Sequence, residues 1–536
     1  MDLHYFHPSW VAKSDERLRA DVCVYGGTSA GIAAAVAAIR AGKTAVILHP
    51  GKIVGGLTTG GLGETDYGRK HVIGGLSRRF YRDCGTRYGK DEEFQFEPHV
   101  AAAVYSAWLS EYDVPVRLCQ FVDRVELEGA RIKSVTMLGG LRCEAKAFID
   151  ATYEGDLLAR AGVSYTVGRE DNATYGETLS GVQVLSHHQF VGGDVDPFIK
   201  EGDDRSGLLP WVLAEDLSKQ QGRGDRRVQA YCFRMCMTDD PALKIDWERP
   251  DGYDPLQYEL ARRWFNGPKD AYNDQLTPHG DGRPKAVPSK FDIFPNKTKG
   301  GFHKTDTNNH GPVSSDFIGA NYEWPDGCYE RREEIFQAHV RYQKGFYWFM
   351  ANGDVPDRYR DAYRRWGLPK DEFTTTARWP YQLYVREARR MVGEYVITEH
   401  DCRGVRVPTD VVGMGSYGMD SHNCSRFATT GDNGKPKVMN DGDVQVHGFP
   451  PYGLPYRAIV PKRGQAENLL VPVCLSSSHI AYGSARMEPV FMVLGESAAL
   501  AATVAIDNNL SVQDVPYAKL RPKLEEAKQV IEVPAE

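Results

Sequence analysis

The sequence lacks paired cysteines. Its ten cysteines are scattered, and none forms a Cys-x-x-Cys pair. This spacing excludes the common zinc-binding frames and does not indicate a disulfide scaffold, so we expect free thiols in a reducing compartment. Cys232 and Cys236 have helical spacing, but His187 and His188 are distant from them in sequence, and we therefore expect no metal site.

The sequence also lacks a long apolar run, an excess of positive charge and a leader segment. No apolar run approaches the roughly 18 residues that cross a bilayer. The formal net charge of -7 disfavours a nucleic-acid or anionic-membrane partner. The first 22 residues show no basic stretch followed by an apolar one, which favours a cytoplasmic location. Motifs typical of zinc enzymes and P-loop proteins are absent as well.

What is present begins with a β-α-β pattern. Residues 21–25 form a β-rich run, 29–42 an alanine-rich helix and 44–49 a second apolar strand. The turn between the first strand and the helix resembles the G-x-G-x-x-G dinucleotide fingerprint; it reads Gly26, Gly27, Thr28, Ser29, Ala30, Gly31. The outer glycines allow a tight turn and close packing of the helix, and the helix N-terminus attracts phosphate.

Two positions depart from this fingerprint. Thr28 takes some of the room that a middle glycine leaves for a pyrophosphate, although its hydroxyl adds a donor. His49 stands at the end of the second strand, where an acidic residue usually binds ribose hydroxyls. Because histidine can also hydrogen-bond a hydroxyl group, the pattern still predicts nucleotide binding.

A glycine-rich loop follows the second strand. The stretch 55–68, GGLTTGGLGETDYG, has five glycines in its first nine residues, and such a backbone can lie against a flat or charged ligand. A mobile surface loop is the alternative. The predicted contact residues are Gly55, Gly56, Leu57, Thr58, Thr59, Gly60 and Gly61.

Composition changes along the chain. Residues 170–450 are rich in Trp, Tyr, Pro and Asn, whereas apolar and small residues return after 451. We therefore predict an α/β fold in which residues 1–169 and 451–536 form a discontinuous Rossmann-like domain. An α+β substrate domain, 170–450, would be inserted in it.

Six motifs carry a family resemblance. They are VYGGTSAGIAAAVAA, GGLTTGGLGETD, FIDATYEGDLLARAG (148–162), PYQLYVREARRMVGEY (380–395), LPYRAIVPK (454–462) and SSHIAYGSARMEPVFMVLGESAALAA (477–502). Together they resemble the glutathione-reductase-type FAD flavoproteins, and more closely the broad FAD-dependent oxidoreductase family found in polysaccharide-degrading bacteria.

The resemblance implies an extended FAD. Its pyrophosphate would lie over 26–31, its adenosine ribose near His49, and its isoalloxazine between the glycine-rich loop and the C-terminal motif. Further cofactor contacts are implied for Ala151, Thr152, Gly155, Asp156, Met487 and Glu488. Pro489 suits the first turn of a helix that runs to about Asp507, whose N-terminal dipole can stabilise negative charge on a reduced flavin.

Two histidines are the candidate bases, because a flavin accepts hydride and the protein must remove a proton. His479 precedes the predicted flavin-facing helix, with Arg486 seven residues on. His422 has Asp420 two residues before it and Tyr417 nearby. His447 and His303 are weaker candidates.

Other polar and aromatic groups are open to two interpretations. The loop 303–311 carries Lys304, Asp306, Asn308 and Asn309, which suit sugar hydroxyls or ordinary turns. Arg386, Glu387, Arg389 and Arg390 have helical spacing, which is typical of a structural ion-pair helix or of a carboxylate or phosphate clamp. Trp324, Trp379 and Tyr384 offer stacking surfaces or an ordinary interface.

We expect an oxidoreductase that abstracts hydride from a carbon next to a hydroxyl, on a carbohydrate or polyol-like substrate. The alternatives are oxidation of an amine or organic acid, or a flavin reductase or electron-transfer role with a partner protein. The expected partners are FAD, a small molecule such as a sugar or glycoside, and an electron acceptor that the sequence does not identify. Oligomerisation is left open.

Overall fold

A computed structural model describes residues 3–190, 194–267, 292–293, 303–309 and 311–533, with backbone only for 292–293. His310 of the predicted polar loop lies outside the described residues. The strands are Arg17–Tyr25 (β1), Ala45–Leu48 (β2), Val116–Arg117 (β3), Val122–Glu128 (β4), Arg131–Met137 (β5), Arg142–Asp150 (β6), Tyr165–Val167 (β7), Met235–Thr238 (β8), Lys244–Ile245 (β9), Asp292–Ile293 (β10), Lys304–Thr307 (β11), Leu368–Pro369 (β12), Arg389–Met391 (β13), Val411–Gly415 (β14), Met419–Ser421 (β15), Ser425–Thr430 (β16), Pro436–Asp441 (β17), Val444–Val446 (β18), Tyr452–Pro455 (β19) and Leu469–Leu470 (β20).

Helices alternate with these strands along the chain. They are Ser29–Arg40 (α1), Gly56–Thr59 (α2), Gly75–Arg87 (α3), Pro98–Glu111 (α4), Asp156–Arg160 (α5), Asn172–Tyr175 (α6), Glu259–Phe265 (α7), Tyr329–Asn352 (α8), Asp357–Arg365 (α9), Glu399–Cys402 (α10), His479–Ala485 (α11), Glu488–Asn508 (α12) and Tyr517–Glu526 (α13). The fold is mixed α/β.

A seven-stranded sheet holds the nucleotide turn. Its order is β3-β2-β1-β6-β5-β4, with β20 also paired to β6. The pairs among β3, β2, β1, β6 and β20 are parallel, while β4, β5 and β6 form an antiparallel meander. The carboxyl ends of β1 and β6 therefore lie side by side, with Tyr25 opposite Asp150. This confirms the predicted β-α-β unit.

Helix α12 is the central buried helix. It packs closely along α1, because a side chain at Gly495 would come within 2.2 Å of the Ala30 carbonyl oxygen. By length and composition, α12 passes the test for a membrane span, which corrects the expectation that no segment approaches one. Almost all of it is buried against the rest of the protein, as is typical of a core helix.

The segment 170–450 contributes short sheets rather than one large one. They are β10-β11-β8 and the pairs β9–β12, β15–β18 and β16–β17. Two further pairs cross the predicted domain boundaries, because β7 pairs with β13 and β14 pairs with β19. One hydrophobic cluster also contains residues from both sides, so the chain's two predicted parts share a core, and the division into domains stays a prediction.

Two local predictions have clear outcomes. All ten cysteines are free thiols, as expected. The helix predicted from the spacing of Arg386, Arg389 and Arg390 is wrong, because residues 383–388 have no regular secondary structure and Arg389 begins strand β13. Each of these guanidinium groups pairs with a carboxylate of a distant segment, and those tertiary pairs, not helical neighbours, set the spacing.

Candidate functional site

The nucleotide turn is packed too tightly for side chains at its outer glycines. Gly26 has a φ of 104°, and a Cβ there would lie 2.8 Å from the carbonyl carbon of Ala151. A Cβ at Gly31 would lie 1.9 Å from the Gly26 carbonyl oxygen. Both glycines are therefore required by the close approach of the turn, helix α1 and the end of β6.

Thr28 caps helix α1. Its Oγ1 accepts a hydrogen bond from the Gly31 amide at 3.3 Å and donates to the Ala151 carbonyl at 2.7 Å. The hydroxyl that the sequence offered as a phosphate donor is thus engaged inside the protein. The amides of Ser29 and Ala30, in the first turn of α1, have no intrahelical acceptor and remain suited to an anion.

His49 is held by backbone on both ring nitrogens. Nδ1 accepts from the Gly27 amide at 3.0 Å, and Nε2 then carries the proton and donates to the Ile53 carbonyl at 2.8 Å. Burial lowers the pKa of His49 from 6.5 to about 4, so the ring is neutral at neutral pH. A ribose hydroxyl can reach this ring only by displacing one of the two bonds.

A cleft of about 750 Å³, counting its open mouth, begins at this turn. Of the predicted cofactor residues it is lined by Gly26, Thr28, His49 and Thr152. Sequence reasoning missed its other walls, which come from two distant segments and from neighbours of the predicted residues: Tyr5, Trp10, Tyr381 and Leu383, with Lys52 and Tyr153. The glycine cradle, the open helix N-terminus and the adjoining cleft fit a dinucleotide cofactor.

Glu488 ties three predicted cofactor segments together. It is the first residue of α12, and its buried carboxyl accepts hydrogen bonds from the hydroxyls of Ser29, Thr58 and Tyr153, the last two at 2.8 Å. Burial raises the pKa of Glu488, and the three hydroxyl donors only partly offset this effect. The structure therefore brings the nucleotide turn, the glycine-rich loop and the C-terminal motif to one point.

The glycine-rich loop is buried rather than mobile. Its residues 56–59 form helix α2, Thr59 bonds the hydroxyl of Tyr381, and the Leu57 amide donates to Tyr153 at 2.9 Å. Glycines are required where other chain segments press on the loop. A Cβ at Gly60 would lie 2.5 Å from Gln382 Cβ, and one at Gly61 would lie 2.1 Å from a backbone oxygen. Gly55 and Gly56 have positive φ angles.

The turn after β6, residues 151–156, has residues in two different surroundings. Ala151 contacts the nucleotide turn, and Thr152 lines the cleft. Gly155 adopts a left-handed conformation before α5. Asp156, by contrast, accepts bonds from Arg332 at 2.7 and 3.0 Å and from Arg389 at 2.8 Å, so its carboxylate is engaged in a buried ion-pair cluster.

His422 forms a buried histidine–carboxylate pair. Its Nδ1 lies 2.8 Å from Asp316 Oδ2, and Arg386 Nη2 lies 3.0 Å from Asp316 Oδ1. Burial lowers the pKa of His422, the nearby Arg386 charge lowers it further, and Asp316 opposes both effects. Although burial favours a protonated Asp316, Arg386 and His422 hold its pKa well below the usual range. A neutral His422 thus donates from Nδ1 and keeps a basic Nε2.

His479 forms a second pair with Glu387. Its Nδ1 lies 2.8 and 3.0 Å from the two carboxylate oxygens. Gln229 joins the two pairs, because its Nε2 donates to Glu387 at 2.6 Å and its Oε1 accepts from the His422 amide at 3.0 Å. Both predicted histidines therefore belong to one buried network. Their partners Asp316 and Glu387 were missed as orienting groups.

Arg486 links the C-terminal motif to this network. Its Nη2 donates to the Asp420 carbonyl at 2.9 Å, and its Nη1 donates to the Tyr384 hydroxyl at 3.3 Å. Its Nε is buried without an acceptor in the described part of the chain. Tyr417 lies 3.4 Å from Asp420 Oδ2, so the predicted residues Tyr417, Asp420, His422 and Arg486 are close together.

One face of the β15–β18 ribbon is polar. Asp420 pairs with Gln445 in the register, and alternation places His422 and Asp443 on the same face, one step further. His422 and Asp443 are buried, whereas Gln445 is exposed. Polar residues thus extend along this face from the exposed Gln445 to the buried His422.

Of the remaining sequence candidates, Asn308 joins this site, because its Oδ1 accepts from Arg386 Nη2 at 3.0 Å, whereas several others lie elsewhere. Trp324 and Trp379 are completely buried in the core, which favours the ordinary interface of the two interpretations. Lys304 pairs with Asp371 and Glu372, and Asp306 pairs with Arg234, so these loop charges are neutralised internally. His447 is exposed beside Tyr417.

We expect His49→Gln to change how stability depends on pH. The pKa of His49 is lowered in the folded state, so the folded protein binds fewer protons than the unfolded chain between about pH 6.5 and about pH 4. The stabilisation that the neutral His49 ring contributes is complete above about pH 6.5 and is lost as the pH falls through this window. Chemical unfolding of both proteins at several pH values should show the difference shrinking towards about pH 4; a difference independent of pH would contradict the assignment.

The chain resembles known proteins over most of its length. A family model described as FAD dependent oxidoreductase matches residues 21–524. No protein of curated function matches the chain.

Solved structures give partial matches. A flavin monooxygenase mutant from Stenotrophomonas maltophilia is 20% identical over 31% of this chain and 45% of its own, with a TM-score of 0.21. A flavoprotein/dehydrogenase from Cytophaga hutchinsonii is 15% identical, over 28% and 46%, with a TM-score of 0.22. An L-amino acid deaminase from Proteus vulgaris is 16% identical, over 26% and 54%, with a TM-score of 0.22. The chain spans under half the length of the first two.

Proposed function

The chain belongs to the FAD dependent oxidoreductase family and takes FAD as its cofactor, and we propose that it oxidises a hydroxyl-bearing carbon of a carbohydrate or polyol-like substrate. Bound FAD supplies the hydride acceptor. The protein's own tasks are to bind and orient the substrate and to remove the proton of its hydroxyl group. The observation that carries the proposal is the neutral, carboxylate-oriented His422 at the inner end of a polar face.

The cofactor is held in the manner of glutathione-reductase-type flavoproteins. The amides of Ser29 and Ala30 bind its pyrophosphate, and the glycines of the turn permit that approach. Support comes from the cleft that adjoins this turn and from the convergence of three segments at Glu488.

His422 acts as the general base. Its Nδ1 keeps its proton and donates it in a hydrogen bond to Asp316. This bond fixes the ring and leaves Nε2 to accept the hydroxyl proton of the substrate. Asp316 then stabilises the imidazolium that forms, in the way that a carboxylate supports a catalytic histidine in other enzymes. The buried position keeps the ring neutral before reaction.

The polar face of the ribbon binds the substrate's other hydroxyl groups. Asp420 and Gln445 carry the acceptors and donors that such groups need, and Tyr417 stands beside them. No charged partner is required for a neutral sugar or polyol.

A second candidate, oxidation of a hydroxy or amino acid, is favoured by Arg486. The arginines that the sequence offered as a carboxylate clamp, Arg386, Arg389 and Arg390, are each paired with an internal carboxylate. Arg486 has only the Asp420 carbonyl and the Tyr384 hydroxyl as acceptors in the described residues, so it is the guanidinium group that remains available to a substrate carboxylate.

A substrate panel tests these proposals. The FAD-loaded protein is mixed anaerobically with neutral sugars, polyols, hydroxy acids and amines, and loss of the flavin's visible absorbance is followed. We expect bleaching by a sugar or polyol. Bleaching by acids alone, with loss of that response in Arg486→Lys, would replace the first proposal by the second. Bleaching by none of them, but reoxidation of reduced flavin by a partner protein, would replace both.

A further inference from the structure

Two histidines and a buried carboxylate meet beside the polar ribbon. His187 Nδ1 lies 2.9 Å from Asp443 Oδ1, and His188 Nδ1 lies 2.7 Å from Asp443 Oδ2. One donor atom from each residue can be chosen so that all three lie within 4.8 Å of one another. Asp443 is 3% exposed, whereas the His187 ring is 47% exposed. The cluster is therefore anchored on a fixed carboxylate and open on one side.

The backbone makes this convergence possible. In extended chain, neighbouring side chains point to opposite sides, so consecutive histidines would not face one carboxylate. His188 has a φ of 47°, a left-handed conformation that breaks this alternation. The two imidazole rings consequently lie 4.2 Å apart between centroids and both contact Asp443. A strained backbone at a ligand-like cluster is typical of functional sites.

We propose that His187, His188 and Asp443 form a binding site for a divalent transition metal ion such as Zn²⁺. Two imidazole nitrogens and one carboxylate oxygen are the donor set that such ions take, with a further position left for water or substrate. The cation enters between the rings and the carboxylate, and each neutral ring binds through Nδ1 while its proton moves to Nε2. The exposed His187 ring moves towards the cation until its Nδ1 is within bonding distance.

The neighbouring groups bear on this site. Gln445 Nε2 lies 3.4 Å from Asp443 Oδ1, and Asp420 and His422 are the charged or titratable neighbours on the ribbon. Because an imidazole nitrogen must lose its proton before it binds a metal ion, protons compete with the metal, and affinity should rise with pH. The site does not depend on the proposed oxidation, because binding can be measured without turnover.

Metal titration tests the proposal. The FAD-loaded protein is freed of metal with a chelator, and binding of Zn²⁺ and Co²⁺ is followed by calorimetry and by the visible spectrum of Co²⁺. We expect one equivalent to bind, more tightly at about pH 8 than at about pH 6. Asp443→Asn and His187→Gln should each weaken binding by at least about tenfold. His71→Gln, a change at another exposed histidine, is the matched control and should leave binding unchanged.

Three results would overturn the proposal: no binding to the wild-type protein, equal binding by His187→Gln, or the same loss in His71→Gln. FAD content and circular dichroism report whether each variant folds. His187 is exposed, so His187→Gln decides the question even where Asp443→Asn does not fold.

Discussion

Replacing His422 by asparagine is expected to slow flavin reduction by substrate by about 10²–10⁴-fold, while the protein still folds and retains FAD. The asparagine amide nitrogen takes roughly the place of Nδ1 and can still donate to Asp316, so the buried carboxylate keeps a partner. No atom replaces Nε2, and the hydroxyl proton loses its acceptor. Anaerobic stopped-flow reduction, with a substrate found in the panel, measures this rate.

The pH dependence gives a signature that a merely structural role would not. The pKa of His422 lies below the ordinary value of 6.5, so the acid limb of the reduction rate should fall below about pH 6.5. Asp316 raises this pKa, so Asp316→Asn should move the limb to still lower pH. A His422→Asn variant that reduces its flavin at the wild-type rate, with the loss found instead in His479→Asn, would make His479 the base.

The nucleotide turn could be predicted because its signal is local. Gly31 packs against Gly26 within one β-α-β unit, and the strand, turn and helix follow one another in the sequence, whereas the contact of Gly26 with Ala151 comes from the end of β6. Thr28 and His49 were recognised as departures, but their roles were not. Thr28 bonds Ala151, 123 residues away, and His49 bonds the backbone of Gly27 in the nucleotide turn and of Ile53 in the following loop.

The histidine network could be predicted only in part, because its orienting groups come from distant segments. His422 and Asp316 are 106 residues apart, and His479 and Glu387 are 92 apart. Nothing in the local sequence distinguishes Asp316 from an ordinary surface aspartate, since its role arises from the tertiary fold. Asp420, the neighbour that the sequence suggested, lies 4.0 Å from His422 Nε2 and not at Nδ1.

The misassigned arginines show a general limit of spacing arguments. Intervals of three and four residues suit a helix, but an irregular segment buried between several carboxylates also produces them. Arg386 pairs with Asp316, Arg389 with Asp156 and Arg390 with Glu170. These three partners come from distant segments that the local sequence does not reveal, although Arg390 Nε also lies 3.4 Å from Glu387 Oε1 in its own segment.

Replacing Asp156 by asparagine is expected to lower the free energy of unfolding by about 3–5 kcal/mol, because it leaves buried guanidinium groups without their shared carboxylate. Arg332 is 1% exposed and would retain only the carbonyls of Trp324 and Pro325 and the hydroxyl of Tyr5. Denaturant unfolding in saturating FAD measures the loss.

A control variant and the pH dependence of stability distinguish the ion-pairing role of Asp156 from a role in cofactor binding. Asp326 also pairs with Arg389, but its side chain is 40% exposed, so Asp326→Asn should cost no more than about 1 kcal/mol. Although burial alone would raise the pKa of Asp156, Arg332 and Arg389 lower it below 3.8. Its stabilisation is therefore complete above about pH 4 and is lost only as the pH falls further. A much weaker FAD affinity with unchanged stability would return Asp156 to the cofactor contacts that the sequence predicted.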